Sequence, residues 1–278
     1  QATCRDQNIF FLARGSHLQA IRKNGLSLKT ASGENCICHP TLTADDINLF
    51  SEFDLCILSV KGFDLSDTLR ALRGKTTAKT VFLPLLNGID IGSQIHKVFP
   101  NHVVLPACVY ISSHIEKPGV VVQTGGPCSI IFGRDPVHPM HSPNEIPELF
   151  KNAGINHQWL DDPTPKIWEK FIFIAPFSLV TACFDKTIGE VIGTPTLSRY
   201  VRAIMEEIVQ LADKMGIRFP GNIITATFEK AKNFPENTRT SFQNDFAKPQ
   251  KRDEREIFGG TILRLCKKER IRCDITAE

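Results

Sequence analysis

Short apolar runs, each closed by a polar or glycine-containing turn and followed by residues of helical period, organise the first half of the chain. Ile-Phe-Phe-Leu-Ala at residues 9–13 fits a buried strand that ends in Arg14-Gly15. Ser16 then reads as the cap of a helix running to about Asn24 and closed by Gly25. Residues 26–30 and 36–40 read as two strands around the Ser32-Gly33 turn. Residues 53–60 form a second buried strand before Lys61-Gly62 and a helix over 64–72. Residues 80–84 form a third, before Leu85-Leu-Asn-Gly88 and a helix over 91–98. Strands alternating with helices in this way predict βαβ units and a parallel sheet. Further strands are predicted over 102–110, 119–124 and 129–132, with Lys117-Pro118-Gly119 as a turn, then a proline-rich loop over 134–143, a helix over 145–153 and a strand over 157–160. From Pro163 the pattern becomes helical throughout: an apolar segment over 167–184, then helices over 198–215, 222–234, 241–247 and 253–268. The expected fold class is α/β, with a mostly parallel sheet domain over residues 1–162 and an all-helical domain over 163–278.

Ligands of parallel sheets sit at the carboxyl ends of the strands. Arg14, Lys61 and Asn87 fall there in succession. Any one of them serves equally as loop punctuation, Asn87-Gly88 being a common turn pair, but three on one rim form a set. An arginine after the second strand of a dinucleotide-binding fold meets a 2′-phosphate with the right charge and a bidentate fork. In the second half, Lys170 interrupts the apolar segment 167–184. Burial disfavours the ammonium form, so a desolvated lysine there can exchange a proton near neutral pH. The bland reading is a lysine whose stem lies on apolar surface while its head reaches water.

No Gly-x-Gly occurs in the 278 residues, so the cradle of backbone N–H groups that holds a dinucleotide pyrophosphate has no representative. Either a first strand and its glycine loop lie upstream of residue 1, or the fold binds no dinucleotide. The first is favoured, because residues 9–14 read as a second strand lacking its first.

Composition narrows the class. With 42% hydrophobic and 23% charged residues the chain is globular. Its net charge of +3 suits an anionic small ligand, and the basic clusters 248–252 and 267–270 lack the interleaved aromatics of a nucleic-acid surface. Nine scattered cysteines predict no disulfide framework, Cys36-Ile-Cys38 reads as strand, and His138 and His141 read as exposed for want of a spaced carboxylate or thiolate, so no metal is expected. Without a signal peptide or an apolar run of membrane length, the expected setting is a reducing cytoplasm with no membrane partner. Dimerisation through the helical half is compatible with the pattern, which does not decide it.

Seven motifs in order, Phe-Leu-Ala-Arg-Gly15, Asp54-Leu-Cys-Ile-Leu-Ser-Val-Lys61, Leu86-Asn-Gly88, Lys117-Pro-Gly119, Trp168-Glu-Lys170, Thr240-Ser-Phe-Gln-Asn-Asp245 and Asp253-Glu-Arg-Glu-Ile-Phe-Gly-Gly260, resemble the ketopantoate reductases (2-dehydropantoate 2-reductases) over nearly the whole chain. The resemblance implies a Rossmann domain and a helical domain with a cleft between them, in which NADPH reduces a 2-keto acid, most simply 2-dehydropantoate to pantoate for pantothenate synthesis. It implies Lys170 as the general acid and Glu254 as the carboxylate interacting with it, Glu256 being a rival. It also implies Ser241 at the substrate carboxylate, Asn87 at substrate and nicotinamide, Lys61 on the cofactor side and Arg14 at the adenosine 2′-phosphate. Ile174 and Ser178 stand where the family has asparagines, and Pro176 between them removes a donor and forces a kink. Ser178 remains a substrate-binding candidate, and a bulkier or more apolar 2-keto acid stays open. So does a nucleotide-binding protein that has lost its chemistry.

Overall fold

The structure is a computed structural model that describes residues 7–247 and 252–278; the basic cluster at 248–252 lies mostly outside them. It divides into two compact units that interleave along the chain. The first takes the chain to Leu58 together with Asp67–Leu85 and Ile95–Asp161. The second takes Ser59–Ser66, Leu86–Gln94 and Asp162–Glu278. The short segments after two sheet strands therefore belong with the helical half.

In the first unit, β1 (Phe10–Leu12) leads into α1 (Gly15–Asn24), followed by β2 (Leu26–Lys29), β3 (Asn35–Cys38) and β4 (Leu42–Ala44). β5 (Leu55–Leu58), α2 (Leu65–Ala71), β6 (Val81–Pro84) and α3 (Ile91–Val98) continue the alternation, α2 and α3 each beginning in the second unit's segments. β7 (Ala107–Lys117), β8 (Val120–Gly133), α4 (Glu145–Asn152) and β9 (His157–Leu160) complete it. β1 pairs with β4 and β5 with β6, both in parallel. β2 pairs antiparallel with β3 and parallel with β8, which carries β7 antiparallel and β9 parallel. The α/β character and the parallel pairs agree with the predicted class.

β6 reads Val-Phe-Leu-Pro and is buried at every position, as a strand covered on both faces requires. Val81 and Leu83 pack with Leu105, Ala107, Phe132, Ile146 and Phe150 into the core of this unit. β1 and β5 differ from expectation. Leu12 and Ile57 are exposed, and among the described residues each strand has a ladder on one side only. Ser16 does not cap α1; Arg14 occupies the cap position without a side-chain bond, and Gly15 opens the helix at φ +57°. The predicted strands 119–124 and 129–132 are one strand, β8, with irregular register against β7 where Gly125-Gly126 would otherwise read as a turn.

The second unit is built on α5 (Thr164–Phe184), with α6 (Ile188–Gly193), α7 (Pro195–Lys214), α8 (Ile223–Lys232) and α9 (Ser241–Phe246). A π-helical turn, Glu256–Gly260, runs into α10 (Thr261–Glu269), and α11 (Asp274–Ala277) follows. α5 is long and apolar enough to cross a membrane by length and composition, contrary to the expectation of no such run, but 56% of its apolar window is buried within the protein. Its ten buried residues, from Trp168 to Ala182, make it the core helix of the unit. α7 supplies Val201, Ile204, Met205, Ile208 and Leu211 at three- and four-residue spacing, one apolar stripe. α6 was not anticipated, although Thr187 and Glu190 form a reciprocal capping box at its start. Cys266 and Cys273 are joined in a disulfide, which corrects the expectation of none.

Candidate functional site

Lys170 lies two turns into α5, half-buried, and its Nζ donates to Asn87 Oδ1 at 2.8 Å. Asn87 sits in the segment after β6, where Gly88 takes φ +122° and leaves room for Ile91 and Ile257 at 3.1 and 3.6 Å from where a Cβ would stand. The amine has an amide oxygen among its partners, and α5 carries Phe173 and Ile174 three and four residues further on, on the same helix face.

A second amine stands on the segment after β5. Lys61 Nζ donates to Asp245 Oδ2 at 2.8 Å and Glu254 Oε2 at 3.1 Å. Glu254 is 5% exposed, and its other oxygen accepts the backbone N–H of Gly62 at 3.3 Å. One buried carboxylate thus fixes both the lysine and the turn that carries it. Burial alone would lower the Lys61 pKa, but the bonds and charges of Asp245 and Glu254 outweigh it and hold the amine above its ordinary value. Glu254 in turn is set by the π-helical turn, whose Ile257 and Phe258 N–H groups bond to the Glu254 carbonyl. Ile257 is pressed against Gly62 so closely that a Cβ there would lie 1.8 Å from its Cδ1, and no residue but glycine fits without displacement. Phe258 packs on Phe171 and Phe242, giving the cluster an apolar floor. Arg264 to Asp90, at 2.8 Å, ties α10 to the segment that carries Asn87.

Of the sequence-predicted residues, the structure brings Lys170 to Asn87 and Glu254 to Lys61. Glu254, expected beside Lys170, pairs with Lys61 at 3.1 Å. The rival, Glu256, is exposed. Ser241 is exposed and opens α9, one turn before Asp245, so the two share a helix face on the side that holds Lys61. Ser178 is 4% exposed and lies about 12 Å beyond Lys170 along the axis of α5. Its carbonyl accepts from Thr181, which also meets Thr240 at 3.1 Å, so this position packs the α5–α9 contact. Arg14 is exposed at the head of α1 in the first unit. Asp245, the tighter of the two anions on Lys61, is the residue that sequence reasoning misses; its i+4 spacing from Ser241 is the available signal.

Residues 3–136 match the family described as Ketopantoate reductase PanE/ApbA, and residues 162–277 match the C-terminal domain of the same family. The chain belongs to the ketopantoate reductase family. It is an oxidoreductase of that family, and the similarity covers both units. A 2-dehydropantoate 2-reductase from Streptococcus pyogenes is 26% identical over 209 residues, 75% of this chain and 67% of that one. A ketopantoate reductase of known structure from Ralstonia eutropha superposes with a TM-score of 0.87 at 22% identity, over 98% of this chain and 87% of that one. A D-mandelate dehydrogenase, solved with NADH and anilino(oxo)acetate, superposes at 0.83 with 19% identity, over 98% of this chain and 88% of that one. At these identities the structural likenesses establish the fold.

Taken separately, Arg14, exposed after β1 in the first unit, has the charge and fork for a phosphate, and Lys61 and Asn87 in the second unit offer donors for polar groups of a cofactor. No glycine-rich turn among the described residues cradles a pyrophosphate.

Proposed function

We propose that this chain reduces a 2-keto acid to the 2-hydroxy acid with NADPH, 2-dehydropantoate being the first substrate to test. The observation that carries the reading is an amine, Lys170 Nζ, half-buried and held at 2.8 Å on Asn87 Oδ1. When bound, a reduced nicotinamide supplies hydride to the keto carbon. The protein's part is to stabilise negative charge on the keto oxygen and to protonate it. Lys170 has the charge and the proton, and its half-buried position strengthens its attraction for an oxyanion relative to bulk water. Asn87 orients the amine through an acceptor that does not compete for the proton. The Ser241 hydroxyl is the group to meet the substrate carboxylate, and Lys61, kept cationic by Asp245 and Glu254, serves the cofactor side.

A second reading concerns the substrate only. Ile174, half-buried one turn beyond Lys170, and the buried Ser178 make the α5 surface more apolar than the asparagines expected there, which favours a bulkier 2-keto acid. NADPH oxidation measured against a panel of branched and aryl 2-keto acids, with NADH in parallel, separates these. Turnover of none of them would overturn both readings.

A further inference from the structure

Three side chains with no part in the proposed reduction converge in the first unit. His96 lies on α3, and Asp135 and His138 lie in the proline-rich loop after β8. Asp135 is fully buried. Its Oδ1 is 3.2 Å from His96 Nε2 and 2.9 Å from the Val137 N–H. Its Oδ2 is 2.9 Å from both His138 Nδ1 and the Val104 N–H. The three potential ligand atoms all fall within 4.8 Å of one another. Sequence spacing had set His138 aside for want of a carboxylate; Asp135 is that carboxylate, and His96 is the ligand no linear pattern could join to it.

We propose that His96 Nε2, the Asp135 carboxylate and His138 Nδ1 form a site for a first-row divalent cation of the zinc class, with its fourth position open to water. Metal–ligand bonds of about 2.0–2.2 Å in a tetrahedral site place neighbouring donors roughly 3.3 Å apart. Each nitrogen lies 2.9 or 3.2 Å from its own carboxylate oxygen, and one donor atom from each residue falls within 4.8 Å of the other two, so side-chain rotation of about an ångström closes the set on a cation. The charge is right as well. Among the described residues the ion pairs of this buried carboxylate are with the two histidines alone, with no lysine or arginine to neutralise it. A dication does so directly. Part of the supporting shell is in place: the N–H groups of Val104 and Val137 fix the carboxylate, Pro136 and Pro139 near His138 restrict the loop, and the buried His96 Nδ1, without a partner among the described residues, takes the ring proton when Nε2 turns to the cation. His138 is 28% exposed, which gives an ion and its water a route in. Binding needs no oxidant and releases no net proton from neutral rings. Each imidazole moves the proton it donated to Asp135 onto its other nitrogen, and the cation takes its place. Bound there, the cation ties the 134–143 loop to α3.

The full chain, stripped with a chelator and re-equilibrated with zinc or cobalt(II), should retain one equivalent of metal through desalting and melt at a higher temperature. The cobalt form should show visible d–d bands without the near-ultraviolet charge transfer of thiolate ligands. His96→Gln and His138→Gln each keep a hydrogen-bond donor for Asp135 while removing a ligand. Each should weaken metal binding at least about tenfold and leave the melting temperature of the metal-free protein nearly unchanged. Sub-stoichiometric metal, or binding untouched by either variant, would show the cluster to be a hydrogen-bonded hub only. A thiolate band would move the metal to cysteine ligands and equally overturn the proposal.

Discussion

At the scale of single residues, the site rests on two lysines held in different ways, and substitution should separate them. Lys170 has an amide among its partners and is the proposed general acid, so Lys170→Ala should cut kcat by about 10²–10⁴-fold, the usual share of a general acid, with little change in melting temperature. A large fall in stability with turnover merely in proportion would mark Lys170 as structural. Lys61 is bound to two carboxylates, and if Glu254 acts through it, their losses overlap. In a double-mutant cycle of Lys61→Met and Glu254→Gln, kcat/KM of the double variant should fall hardly below that of the worse single one. Additive losses would give Glu254 a separate task. The pH dependence follows from the raised Lys61 pKa. A lysine raised in the folded state contributes below its unfolded value, about 10.4, and loses that contribution only as pH climbs through the higher folded value. An activity limb falling between pH 7 and 9 therefore belongs to some other group. The sequence marked both lysines, because a cation in an apolar run and a cation after a strand are visible in one dimension. It could not show that Glu254, 193 positions from Lys61, turns to that lysine, since the pairing is made by the π-helical turn and not by any local pattern.

At the scale of elements, period and punctuation located most helices and strands, and the failures have physical causes. Gly125-Gly126-Pro127 carries every sign of a turn, yet β8 runs through it as an irregular stretch with Gly126 at φ +83° and the Ile111–Ser112 backbone of β7 only 3.3–3.5 Å from where a Cβ on Gly126 would stand. α6 is short, and its helical state is fixed by the capping box and by the bonds of Ile188 and Gly189 to the Thr238 and Glu236 carbonyls. The contact of Gly62 with Ile257 was equally invisible, and it carries a prediction. Gly62→Ala should cost about 1–3 kcal/mol in thermal unfolding, the usual range for overpacking, and should lower kcat/KM because the turn bearing Lys61 must move. Adding Ile257→Ala should restore much of both. Failure of that rescue would mean that the strain lies in the backbone at Gly62 and not in the packing.

For the whole molecule, reading the chain in order assigned residues 1–162 to one body and 163–278 to another, whereas the compact units interleave, with Ser59–Ser66 and Leu86–Gln94 joining the helical half. Periodicity is a local property and cannot report a partner far along the chain, so the two segments that carry Lys61 and Asn87 were legible as loops but not as parts of the second unit. Arg14 belongs to the first unit, and its proposed task can be tested apart from the chemistry. A guanidinium that meets a 2′-phosphate discriminates NADPH from NADH and does nothing for the nicotinamide. Arg14→Ala should therefore raise the NADPH dissociation constant by roughly one to two orders of magnitude, the worth of one or two charge-assisted hydrogen bonds, and leave NADH binding unchanged. Fluorescence titration of both cofactors on the wild-type and variant chains reads this directly. Equal weakening of the two would move Arg14 to a general electrostatic role, and no change in either would remove it from the cofactor site, with the Lys170 and Lys61 assignments standing on their own contacts within the second unit.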